Sequence, residues 1–294
     1  MTTRGAPLKH DTESRLTLLR PMVTRRYELT VDHEQCCGCR ICSLACPQEA
    51  ITLSEAVLEG GRVIQRARVD IDPQKCSFCG ECVVLCPSRA IELTINGQPE
   101  IPVIVGEAFP YLVRRNRVDQ RAAEGARDAT FIDACPVGAI SAEVERDASG
   151  EVTAIRNVQV DKRACLGCSR CMHIGPEGLF TVTKPYEGRA RVDATLCPEA
   201  CQACVDVCPT NAITYDGQRV WLDERSCLFC DACTHVCPAE GALTIVRRRI
   251  NHTPIDSGAW TKALALLVSR HAVAREFDIK GQAKRRRLVL DDEI

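Results

Sequence analysis

The chain has 294 residues, with 38 Lys and Arg against 39 Asp and Glu, for a formal net charge of −1. That balance excludes bulk electrostatic binding to nucleic acid, which needs a strongly basic face, and the longest apolar run, Ala263–Val268, is too short to span a bilayer. Twenty-one cysteines stand beside four Tyr, six Phe and two Trp, so units of a few dozen residues must draw stability from something other than aromatic burial.

Residues 1–26 read as an N-terminal extension, with neither the apolar stretch nor the small-residue cleavage site of a secretory signal. Thr24-Arg25-Arg26 has a twin-arginine look but runs straight into Tyr27–Asp32 and the first cysteine loop, so it reads as surface charge. A disulfide framework needs an oxidising compartment. The expectation is therefore a cytoplasmic protein with reduced thiols available as ligands. From Cys36 to Pro47 the sequence is C-C-G-C-R-I-C-S-L-A-C-P, which places Cys36, Cys39, Cys42 and Cys46 in the spacing C-x2-C-x2-C-x3-C-P. The spacing returns at Cys76, Cys79, Cys82 and Cys86 and at Cys227, Cys230, Cys233 and Cys237; a variant with one added residue sits at Cys197, Cys201, Cys204 and Cys208. An apolar-Asp pair precedes the loops: Val31-Asp32, Ile71-Asp72, Val160-Asp161, Val192-Asp193 and Leu222-Asp223. After each complete run comes C-P, then Ala-Ile or Ala-Leu leading into a β-branched stretch. The half-unit is thus strand, cysteine loop, one or two helical turns, strand, with Pro ending the helix.

Two halves make a unit, at 27–95 and again at 189–247. Between them, 96–114 reads as a linker with Pro99, Pro102 and Pro110, whose run Ile101–Val105 suits an edge strand. The middle unit, 115–188, opens at Val118-Asp119, yet positions 120–134 hold no cysteine. Counting back from Cys135-Pro136, the absent positions are Gly125, Asp128 and Phe131. Its second half has Cys165, Cys168 and Cys171, with Gly175-Pro176 in fourth place. The tail, 248–294, is predicted helical from a cap at Asp256 or Ser257 to about Phe277, with Trp260, Leu264, Leu267 and His271 on one face packed against its own protein. Lys284-Arg285-Arg286-Arg287 and Asp291-Asp292-Glu293 then read as a solvated charged end. His33, His173 and His235 lie near cysteine loops without metal-like spacing and read as surface or packing residues.

Thiolate is a soft donor, and three thiolates on one tight loop reach three corners of a cubane. Zinc instead favours two separated C-x2-C pairs. The runs resemble bacterial ferredoxins that hold two [4Fe–4S] clusters, a similarity covering about residues 27–247, and in that family the fourth cysteine of each run ligates the other run's cluster. The resemblance implies an α+β fold of three tandem ferredoxin-like 2[4Fe–4S] domains, the middle one with one cluster site lost, plus a helical tail. It implies five [4Fe–4S] clusters, with iron held by Cys36, Cys39, Cys42 and Cys86; Cys76, Cys79, Cys82 and Cys46; Cys165, Cys168, Cys171 and Cys135; Cys197, Cys201, Cys204 and Cys237; and Cys227, Cys230, Cys233 and Cys208. Only this crossed scheme completes a set in the middle unit, and the four absent cysteines become the ligands of a single missing cluster. Cys37 is left over, because a frame starting there needs a ligand at Arg40; it reads as a buried or idle thiol.

The array as a whole resembles polyferredoxins and, through the extended stretch from Ile95-Asn96-Gly97 to Phe109-Pro110-Tyr111, the polyferredoxin subunit of formylmethanofuran dehydrogenases. That resemblance implies an electron-transfer component, not itself an enzyme, working between a soluble electron carrier and the catalytic subunit of an oxidoreductase, as a homo-oligomer or complex subunit with neither a membrane span nor a nucleic-acid partner. Two other readings stand beside it. One is an enzyme or redox sensor with a labile cluster at the Cys197 loop, since Cys197-x3-Cys201-x2-Cys204 matches the spacing of radical S-adenosylmethionine enzymes. Those enzymes need a large α/β barrel, whereas here Cys237 is in register to close the set and Pro198-Glu199-Ala200 reads as a one-residue loop insertion. The other makes the clusters structural, with the basic tail on nucleic acid. There is no Walker loop, dinucleotide fingerprint or nucleophile elbow. Gly38, Gly80 and Gly167 allow backbone N–H groups to approach cluster sulfurs, besides serving the turns. Arg40 and Arg170 either raise a local potential or point into water.

Overall fold

The computed structural model describes residues 5–268. Its recurring feature is one antiparallel strand pair nested inside another. In the first stretch Arg26–Asp32 pairs with Ile91–Ile95, in register Tyr27 with Ile95 and Val31 with Ile91, and between them Ile51–Leu53 pairs with Val69–Ile71. The nesting recurs with Arg115–Val118 and Phe180–Thr183 around Ile140–Arg146 and Val152–Val160. It returns with Tyr186–Val192 and Leu243–Ile250 around Ile213–Tyr215 and Val220–Leu222. A short helix follows most cysteine loops, such as Ile41–Ala45, Glu81–Leu85 and Ala232–Val236; each of these ends at a cysteine in extended conformation, Cys46, Cys86 and Cys237. The following Pro forces that geometry, because its ring disfavours a helical residue before it.

Residues 8–21 of the N-terminal segment are ordered against the first sheet. Leu8–Asp11 and Arg15–Pro21 form a hairpin that adds to the outer pair, and Gln98–Pro99 adds the far edge of a five-stranded sheet. Leu16 and Leu18 alternate inward and are fully buried beside Leu29 and Val31, each contributing about 1.5–3 kcal/mol of burial. The expected edge strand at 101–105 is instead a helical turn, Pro102–Val105, with Pro at its first position, where its missing N–H leaves nothing unpaired. Nor is 96–114 a free linker. Val113 N–H donates to the Asn251 carbonyl, Tyr111 N–H to Thr253 Oγ1, and Phe109 packs edge-to-face on Trp260 at 5.1 Å.

The first and last units share one core. Ile41, Ala45 and Leu85 of the first join Tyr186, Ala203, Phe229, Val236 and Ile250 of the last, and the terminal helix Gly258–Leu267 closes over them with Trp260, Ala263, Leu264 and Leu267 buried. Ser257 caps that helix, accepting from Trp260 N–H. The predicted packing of Trp260, Leu264 and Leu267 on the chain itself is what is seen, whereas His271, the extension to Phe277 and the charged end lie outside the described residues. The middle unit keeps a separate core around Phe131, Ile155, Leu179 and Phe180. Among the described residues no helix is long and apolar enough to cross a membrane.

Candidate iron–sulfur sites

Each cysteine loop leaves its strand at an aspartate, and the structure explains why that residue recurs. Asp32 Oδ1 accepts from Glu34 and Gln35 N–H at 2.8 and 3.0 Å while its carbonyl accepts from Cys36 N–H. Asp72 does the same for Gln74 and Cys76, and Asp161 for Arg163 and Cys165. Asp193 and Asp223 open tighter turns by accepting from Thr195 and Arg225 N–H. An aspartate side chain that satisfies its own turn lets the chain reverse without a partner strand.

At the far end of the loops, Ala50 N–H donates to Cys46 Sγ, Ala90 N–H to Cys86 Sγ and Ala139 N–H to Cys135 Sγ, each at 3.3 Å. Cys135 therefore holds the turn of a fourth cysteine although no cysteine precedes it in its own half. It faces the other half: Cys135, Cys165, Cys168 and Cys171 line one pocket. A second pocket is lined by Cys46, Cys76, Cys79 and Cys82, and a third by Cys208, Cys227, Cys230 and Cys233. Cys86 stands near Cys36, Cys39 and Cys42, and Cys237 near Cys197, Cys201 and Cys204; burial first and then these neighbouring sulfurs push up the thiols of Cys36, Cys42, Cys86, Cys197 and Cys204. Fourth cysteines thus meet the opposite half's loop, and the sulfurs surround voids. Among the described residues no three His, Cys, Asp or Glu side chains converge tightly enough to hold a single ion.

These donors suit iron–sulfur cores. Burial, with help from neighbouring sulfurs, pushes the thiols of Cys36, Cys171, Cys204 and Cys227 up to about 12 and Cys168 up to about 11. Four such thiols lose their protons together only to a strongly positive core, so loading releases protons and ties binding to folding. Asn116 Nδ2 lies 3.8 and 3.9 Å from Cys165 Sγ and Cys171 Sγ, while Ser88 and Thr210 hydroxyls lie 3.6 and 3.7 Å from Cys86 and Cys208 sulfurs. Sequence reasoning missed all three; the only signal for Ser88 and Thr210 was their shared place two residues after the C-P cysteine. Gly80 sits at φ +89°, and a Cβ there would meet Ile101 at 2.6 Å, so the loop needs glycine for close packing as well as for its turn. Arg40 is paired with Glu55 at 2.6 Å, and Arg170 donates to the carbonyls of Ala134 and Asn211, so neither simply points into water. His33 is buried with Nε2 3.2 Å from Asp11 Oδ1, a packing role. Cys37 is buried in the core shared by the first and last units, together with Cys39 and Cys230, and those neighbouring sulfurs and burial push its thiol up.

Where the spacing lacks cysteines, the middle unit is filled with hydrocarbon. Phe131 is fully buried against Phe180, ring centroids 5.4 Å apart, and a Cβ at Gly175 would meet the Phe180 ring at 3.1 Å. Gly125 and Asp128 lie at the exposed surface.

A family model described as a 4Fe–4S dicluster domain matches residues 35–90 and 196–241. An uncharacterized ferredoxin of Methanocaldococcus jannaschii is 40% identical over 55 residues, 18% of this chain and 70% of that protein. The chain belongs to the ferredoxins. An iron–sulfur protein of Rhodospirillum rubrum is 30% identical to this ferredoxin over 114 residues, 33% of the chain and 57% of the relative, so the chain spans little more than half the length of that curated relative. Among solved structures, the formate dehydrogenase–heterodisulfide reductase–formylmethanofuran dehydrogenase complex of Methanospirillum hungatei contains a chain similar to the ferredoxin over nearly its whole length: TM-score 0.76, 27% identity, 92% of this chain and 93% of that one. The ferredoxin is a polyferredoxin-like iron–sulfur protein with an electron-transfer character.

Proposed function

We propose that the chain is a non-catalytic electron-relay subunit holding five [4Fe–4S] clusters in three ferredoxin-like units, the middle unit retaining one, and that it passes single electrons between a soluble carrier and the catalytic subunit of an oxidoreductase in a reducing cytoplasm. The ligands are the twenty cysteines of the crossed sets. A four-iron core bound by four thiolates leaves no position open to substrate and supplies one-electron transfer. The protein's part is to surround each core with buried apolar side chains, aim N–H and hydroxyl donors at its sulfurs, and bring the loops of different units together. One observation carries the reading: the fourth cysteines, Cys135 included, stand with the opposite half's loop. The likeness to a subunit of a multi-enzyme redox complex supports the partner class.

Iron and sulfide analysis of anaerobically purified protein tests the count. About 20 of each per chain is expected, falling to about 16 in Cys135→Ser. An unchanged content in that variant removes the middle cluster, and substrate turnover by the isolated chain removes the relay assignment.

A further inference from the structure

Lys184 sits at the turn between the second and third units, its backbone pinned by Asn251, whose Nδ2 donates to the Lys184 carbonyl at 2.9 Å and whose N–H donates to the Pro185 carbonyl at 2.9 Å. Its ammonium donates to the Cys227 carbonyl at 2.9 Å and the Glu224 carbonyl at 3.4 Å and lies 5.3 Å from the Phe229 ring centroid. Among the described residues no carboxylate pairs with it. The nearest acids are engaged elsewhere, Asp223 with Arg225 and Ser226 and Glu224 with Arg189. The same turn presses on the Cys165–Cys171 loop, since a Cβ on Gly167 would meet Pro185 Cδ at 3.4 Å and the Thr183 carbonyl at 3.7 Å. Ser169 Oγ donates to the Arg225 carbonyl at 2.7 Å and ties that loop to the Cys227 loop.

A half-buried cation held by carbonyls and a ring, with no carboxylate in direct contact, is costly to keep. Negative charge on the two adjoining loops relieves that cost. We infer that Lys184 is a shared tuning cation, one ammonium group set between the Cys165–Cys171 and Cys227–Cys233 loops that raises the potentials of both clusters together. The inference rests on the cluster assignment proposed above and adds that two clusters in different units answer to one residue. A positive charge beside a cluster stabilises its more negative, reduced form.

Redox titration of the anaerobic full-length chain, followed by electron paramagnetic resonance, tests it. Lys184→Met is expected to lower two midpoint potentials and leave the other three in place, with Lys184→Arg restoring both. In a Cys135→Ser background only one should move. Unshifted potentials, or a shift in a single cluster with Cys135 intact, overturn the inference. If Lys184→Met loses iron, Lys184→Gln, which keeps a donor for the Cys227 carbonyl without the charge, carries the same test. Iron loss in both neutral variants assigns Lys184 to holding the loop and also overturns it. A wild-type iron content far from about 20 atoms sinks the five-cluster reading separately, before any Lys184 variant is compared.

Discussion

Phe131 occupies the position at which the spacing calls for a third cysteine, and its ring packs edge-on to Phe180 in a core with Ile140, Ile155, Val158 and Leu179. That side of the middle unit is held by buried hydrocarbon. Phe131→Ala should destabilise the middle unit by about 3–5 kcal/mol, as for other buried aromatic deletions. Hydrogen exchange at the amides of 152–160 measures it, and Phe131→Leu, nearer in volume, should lose much less. Unchanged protection in the Ala variant would mean that this core does not hold the unit. The missing cysteines were legible in the sequence, but the aromatic plug was not. Phe131 and Phe180 are 49 residues apart, and nothing in their spacing announces that they touch.

At the scale of elements, the hairpin formed by Val57–Glu59 and Arg62–Gln65 connects units far apart in the chain. Arg62 holds Asp206 through Nε and Nη2, with Nη2 to Oδ1 at 2.7 Å; Val63 N–H adds a further bond to that carboxylate, and Gln202 N–H donates to the Gly61 carbonyl. Gly61 is at φ +75°, and a Cβ there would lie 2.8 Å from Cys201 Cα. Gly61→Ala should therefore lift the hairpin from the Cys197–Cys204 loop. Asp206→Ala should weaken docking by about 1–2 kcal/mol, the Arg62 side being exposed and the Asp206 side largely buried. Both variants should be cut faster by trypsin after Arg62 and Arg66, roughly tenfold for 1.4 kcal/mol if cleavage follows local opening; wild-type cleavage rates would show the docking to be inconsequential. The loop under this hairpin is the one with the added residue in Pro198-Glu199-Ala200, and Ala200 adopts a left-handed φ of +56°.

For the whole molecule, the consequence is that the first and last units are coupled and the middle one is less so. Tyr186 OH donates to the Leu85 carbonyl, Arg247 bonds the carbonyls of Phe229, Cys230 and Leu267, and the terminal helix packs on Ile41–Ala45. Because cluster binding is folding free energy, chelating the iron should expose the amides of 26–32 and 91–95 together with those of 186–192 and 243–250. Those of 115–118 and 152–160, backed by the Phe131 core, should keep more protection. Independent loss of the first and last units, seen by hydrogen exchange during chelation, would contradict a shared core.

Local chemistry was readable from the chain alone. Cysteine spacing specifies a loop whose sulfurs converge, Cys-Pro ends the helix, and Asp before each loop starts the turn, because each of these acts over a few covalent bonds. The pairing of fourth cysteines with the opposite half came from likeness to bacterial ferredoxins, not from spacing. Tertiary structure alone decided that residues 8–21 extend the first sheet, that 96–114 is clamped against 251–253, that Cys37 shares a buried core with Cys230, and that Lys184 stands between two loops. Those facts depend on partners far apart in the chain, 142 residues in the case of Tyr111 and Thr253. Single side chains carry no mark of a distant neighbour, and packing of the whole selects it.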